Sequence, residues 1–135
     1  QASALGDACT KAMEESGKRV VLISSHSLSH RHFVTESPLP EDMSREHIYN
    51  HSQYVWDMKL VDLMRDGKMK EVIDIMPEFT EQTIAETEAG GLTWMMAAMG
   101  YPEYPAEIYG YQSVIGTGNL IAAWDPLEAT REIVL

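Results

Sequence analysis

The stretch SSHSLSHRHF, residues 24–33, places His26, His30 and His32 in one short polar run of a chain with five histidines. Neutral imidazole is both a common metal ligand and a proton shuttle near neutral pH, so such a run, held rigidly beside solvent, is equipped for either task. Loop histidines also occur as ordinary polar surface, and the spacing does not decide between these roles. His47 and His51 stand four apart in HIYNH, the separation at which two imidazoles on one helix face can share a metal. No glutamate lies between them in the order a helical zinc-protease motif requires, so a helix-surface pair is the expectation. The carboxylates of AETEAGG, Glu86 and Glu88, sit at a glycine break before a segment rich in aromatic residues and methionine, where a carboxylate can face a pocket and bind a hard or borderline cation. A solvated helix end is the competing reading, and the default for Glu88. Cys9 lies among small residues and reads as a structural thiol rather than a nucleophile.

These groups must be positioned by the elements around them. A helix is expected from Ala2 to Glu15, ended by Gly17. RVVLIS, Arg19 to Ser24, is a short β-branched run that suits a buried strand of an α/β sheet. Ser25 to Pro40 then reads as a loop on that strand's carboxyl end, where open α/β sheets bind ligands. A long helix is expected from Met43 to Arg65, capped within DMSREH, with Ile48, Val55, Met58 and Met64 near one stripe and Gly67 stopping it. MKEVIDIM is a second helical run ending at Pro77, where PEFTEQTIAETEAGG restarts with proline in the first turn. Gly90 and Gly91 interrupt the helical pattern before LTWMMAAMG, a short apolar helix. AEIYGYQSVI and NLIAAWD flank GTGN, which predicts a β-hairpin or two neighbouring strands with a glycine turn. GTGN lacks the strand-to-helix context of a dinucleotide loop, and Trp56, Trp94 and the methionines are assigned to the core.

A chain of 135 residues, 44% hydrophobic, is enough for one domain, so residues 1–135 are read as a single unit. With 21 acidic against 10 basic residues, its formal charge of −11 repels phosphate backbones and anionic lipid. Neither nucleic acid nor membrane is expected as a partner. The N-terminus lacks a signal peptide's charged-then-apolar order, and a single cysteine suits a reducing cytoplasm. The chain opens at Gln1 inside a helix, which reads as the continuation of something longer.

VVLISSHSLSHRHF, LPEDMS, WDMKLVDLMRDGK and AETEAGGLTWMMAAMGYPEYPAEIYGYQSVIGTGN together resemble the C-terminal half of the class III extradiol dioxygenases, from about Leu5 to Asp125. The SLSH element and the pattern E-x-x-x-G-x-x-T-W are specific in combination. The resemblance implies an enzyme that opens a catechol or 2-aminophenol ring with O₂ and a non-haem Fe(II) held by two histidines and one glutamate. It carries the catalytic acid-base histidine to His30 and the glutamate ligand to Glu86. His26 departs from the more usual small or amide residue at its position, and His32 is assigned with it to the substrate pocket. The implied fold is α/β, a mixed sheet flanked by helices and completed by a missing N-terminal half. In this family both histidine ligands come from that half, so a second polypeptide supplying it, in a hetero-oligomer, is the expected partner beside the small aromatic substrate and O₂. Activity is expected only on complementation. The alternatives are a non-catalytic structural or interaction subunit of such a complex, and a histidine-rich metal-binding protein of another class.

Overall fold

The computed structural model describes residues 1–30, 50–114 and 116–127. It combines helices with a two-stranded antiparallel sheet, a mixed α/β architecture. Helix α1, Ala2–Ser16, ends as its sequence predicts, with Gly17 in the left-handed region at φ 62°. Thr10 ties it to another helix, its hydroxyl lying 3.0 Å from Ala98 O and 3.3 Å from Ala97 O near the end of α4, Gly90–Ala98.

Helix α2, His51–Arg65, starts later than the sequence suggests: Asn50 is the cap, its side chain accepting from Gln53 N at 2.8 Å. The expected helical turns from Met43 to Ile48 lie outside the described residues. The buried face of α2 also differs from the apolar stripe read from sequence, being Gln53, Asp57, Leu60, Val61 and Met64, whereas Val55 is exposed. The spacing is helical, but two of its positions are polar, which a hydrophobic pattern cannot register. Helix α3, Met69–Thr83, runs through Pro77 instead of ending there. Proline removes one intrahelical donor, yet Val72, Met76, Phe79 and Thr83 bury one continuous face across it, and that packing carries the helix onward.

A 3₁₀ turn, Glu86–Ala89, leads into α4, so Gly90 and Gly91 open that helix rather than interrupt one. The break falls earlier, where Thr87, Glu88 and Ala89 all adopt left-handed conformations with φ of 49°, 53° and 52°. Strands β1, Glu107–Val114, and β2, Thr117–Ala123, form the expected hairpin, with an irregularity between Ile108 and Gly110. Thr117, Gly118 and Asn119 pair within the ladder, against Val114, Ser113 and Gln112, so GTGN is mostly strand. Phe79, Leu60, Met64, Met69 and Met96 are the largest fully buried apolar side chains, each contributing about 1.5–3 kcal/mol of transfer free energy.

The expected strand at Arg19–Ser24 is not paired with β1 or β2. Val21 and Ile23 are 85% and 81% exposed. A strand is defined by its partner, and a β-branched run that has none among the described residues stays an open, apolar edge. No helix among the described residues is long and apolar enough to cross a membrane.

Candidate active site

The polar run after that edge is held by backbone pairing to the hairpin. Leu28 N donates to Gly118 O at 2.8 Å, and Gly118 N donates to Ser29 O at 3.0 Å, while the Leu28 side chain enters the core. His30 N donates to Thr83 O at 3.2 Å, at the end of α3. Two elements distant in the chain, β2 and the end of α3, therefore fix residues 28–30.

Beneath them lies a carboxylate that sequence reading passed over. Asp57, 0% exposed, accepts from Ser29 N at 2.9 Å, Ser29 Oγ at 2.6 Å and Tyr111 Oη at 2.6 Å. Burial pushes its pKa above the usual carboxylate value of 3.8, opposed in part by those three donors. Burial, and then the hydrogen bond to Asp57, likewise raise the Tyr111 phenol. Gly118 makes the close approach possible: a Cβ there would sit 1.9 Å from Asp57 Oδ2 and 2.8 Å from Ser29 Oγ.

His30 and Glu86 meet across Ser27. The Ser27 hydroxyl lies 2.7 Å from His30 Nδ1 and 3.4 Å from Glu86 Oε2, and Ser27 N donates to the same Oε2 at 3.3 Å. His26 Nδ1 lies 2.8 Å from Ser27 O; a carbonyl only accepts, so this nitrogen carries the proton. Glu86 begins the left-handed run 87–89, whose backbone costs about 1–2 kcal/mol per residue, a kind of strain that clusters at functional sites. Gly91 fits closely beneath, since a Cβ there would meet the His26 ring at 3.0 Å.

His26, Ser27, His30, Glu86, Thr117 and Asn119 line a cavity of about 370 Å³, a volume suited to a small ligand. The structure thus brings together His26, His30 and Glu86 of the residues singled out in the sequence. His32 and His47 lie outside the described residues. His51 stands exposed at the start of α2 with its ring 6.4 Å from that of Tyr54, apart from the cavity, and Glu88 is exposed. Among the described residues no group of three or more His, Cys, Asp or Glu side chains is arranged to hold a metal ion. One carboxylate ligand fits, with Glu86 Oε2 engaged by Ser27; a complete set does not. Ser27, Ser29, Asp57, Tyr111 and Gly118 escaped sequence reading because they carry no charge pattern or spacing of their own. Only the serines of SLSH gave a signal, by adjacency to His30.

Helices over a short sheet bring an imidazole and a carboxylate, the latter beside a left-handed stretch of backbone, onto one small cavity, which are the group types that acid-base chemistry on a small ligand uses. The chain matches the family model described as the catalytic LigB subunit of aromatic ring-opening dioxygenase over residues 1–122, and it belongs to that family. It is 50% identical over 125 residues to the 2-aminophenol 1,6-dioxygenase beta subunit of Pseudomonas sp, covering 93% of this chain and 41% of that protein. It is 27% identical over 105 residues to the 3,4-dihydroxyphenylacetate 2,3-dioxygenase of Escherichia coli, covering 78% and 37% respectively. The chain therefore spans about two-fifths of the length of these curated relatives.

Proposed function

We propose that the chain is the C-terminal half of an extradiol dioxygenase that cleaves a catechol or 2-aminophenol ring with O₂, and that it acts with a second polypeptide, or a further part of the protein, supplying two histidine ligands to Fe(II). The observation that carries this reading is the convergence of His30 and Glu86 on one cavity through Ser27. Bound Fe(II) would supply a coordination site for an ortho-substituted aromatic and for O₂. Glu86 contributes the anionic ligand. His30 accepts a proton from the substrate hydroxyl or amine and returns it later in the reaction, its ring held by Ser27 below and its backbone by Thr83. His26 and Asn119 line the polar side of the cavity, and the family resemblance alone assigns His32, outside the described residues, to the substrate pocket.

The first test is a native mass spectrum of the protein co-expressed with the remaining length of its relatives. One iron per complex, together with ring-cleaving turnover of 2-aminophenol or a catechol, is the expected result. His30→Ala should keep the iron and lower kcat by about 10²–10⁴-fold, the usual contribution of a general acid-base group. Glu86→Gln should lose the iron. A metal-free complex without turnover would favour a non-catalytic subunit. Metal held undiminished by Glu86→Gln would favour a histidine-based site of another class.

A further inference from the structure

We infer that Asp57 is a positioning residue for His30: its carboxyl group grips Ser29, and through Ser29 it fixes the peptide unit from which the His30 side chain departs. The consequence for turnover rests on the functional reading above, whereas the anchoring stands on geometry alone.

Asp57 lies on the buried face of α2 and is 0% exposed. Ser29, also buried, gives it both of its donors, the amide N–H to Oδ1 at 2.9 Å and the hydroxyl to Oδ2 at 2.6 Å. A two-point grip on one rigid carboxyl group fixes orientation as well as distance. The acceptors of Ser29 are engaged by β2, where Gly118 N lies 3.0 Å from Ser29 O and 3.1 Å from Ser29 Oγ. The peptide joining Ser29 to His30 is therefore held at both polar atoms, its oxygen by the Gly118 N–H and its own N–H by Thr83 O at 3.2 Å. One turn before Asp57 on the same helix, Gln53 Nε2 donates to that Thr83 oxygen at 3.0 Å, so α2 bears on both sides of this peptide.

A peptide unit is planar, so pinning its oxygen and its N–H sets the plane and the place of the His30 Cα within it. Contacts of the ring, such as that to Ser27 Oγ, act after this on the side-chain torsions alone. Tyr111 supplies the comparison. Its hydroxyl donates to the same Asp57 Oδ2 at 2.6 Å, but it comes from β1 and bonds Asp57 rather than the run that carries His30. If Asp57 only stabilised the junction, the Ser29 and Tyr111 hydroxyls would be equivalent; as an anchor for His30 it makes them differ in their effect on rate.

The experiment compares Asp57→Asn, Ser29→Ala and Tyr111→Phe with the unaltered assembled enzyme. D57N keeps an oxygen for the Ser29 amide but puts an NH₂ group where the two hydroxyls donate, and S29A removes one of those hydroxyls. In the iron-loaded form both are expected to lower kcat by about ten- to hundred-fold, as displacement of a catalytic group does, and to leave KM within about threefold. Y111F also removes a bond to Asp57, yet it should keep kcat within about threefold of the parent. In the metal-free assembled protein, the Ser29 and His30 amides should exchange hydrogen at least about tenfold faster in D57N and S29A, measured against the core amides of α3, and should keep the parent's protection in Y111F. Normal kcat in either D57N or S29A, or an equal loss of kcat in Y111F, would overturn the assignment, as would unprotected Ser29 and His30 amides in the parent. If His30→Ala turns over as the parent does, the functional reading fails instead, and the exchange rates still decide the anchor by themselves.

Discussion

Asp57 is the residue on which the geometry of the site depends without facing the cavity. Its carboxylate holds the Ser29 amide, the Ser29 hydroxyl and the Tyr111 phenol, and Ser29 stands beside His30. Asp57→Ala would leave those donors buried without their acceptor, and should lower stability by about 2–4 kcal/mol in urea unfolding. The raised pKa of Asp57 adds a pH signature. A carboxyl whose folded value lies above its unfolded value binds its proton more tightly when folded, so its contribution to stability is complete below the unfolded value of about 3.8 and is lost as pH rises through the folded one. The stability of the parent relative to Asp57→Asn should therefore increase as pH falls through that window, which unfolding at a series of pH values would measure. The residue lies in WDMKLVDLMRDGK, where the sequence assigns it no role. Nothing local to a carboxylate announces that it will be buried, because burial depends on donors contributed by the SLSH run and by β1.

At the scale of elements, the site is made where residues 27–30 pair with β2 and touch the end of α3. Gly118 is the point of closest approach. Gly118→Ala would drive a methyl group into Asp57 Oδ2, which a closely packed junction cannot absorb, and should cost about 3 kcal/mol or more by urea unfolding, with loss of His30 positioning. Some elements were legible: α1 by its glycine stop, the start of α3 in MKEVIDIM, and the hairpin by the glycines of GTGN. The errors have a common cause. Pro77 was read as a helix end and Gly90-Gly91 as a break because residue preferences act locally, whereas packing of Val72, Met76, Phe79 and Thr83 overrides the first and the left-handed run 87–89 relocates the second.

For the whole molecule, Val20, Val21 and Ile23 are exposed β-branched residues in a segment that pairs with neither β1 nor β2. In the proposed assembly this segment pairs with a strand from the remainder of the enzyme, as exposed β-branched segments can. Val21→Lys combined with Ile23→Lys should make the isolated chain less prone to self-associate in sedimentation velocity, and should abolish complementation with the remaining polypeptide. Increased self-association, or unimpaired complementation, would count against that pairing. The sequence by itself determined the family pattern, the net negative charge, the limits of α1 and the identity of His30 and Glu86 as candidates, because each is written in residue types at short or family-specific spacing. Only the tertiary structure decided that Ser27 joins those two, that Asp57 is buried beneath them, and that Arg19–Ser24 pairs with neither β1 nor β2. These are contacts between segments far apart in the chain, and neither a hydrogen-bond partner nor a strand neighbour has any trace in local periodicity.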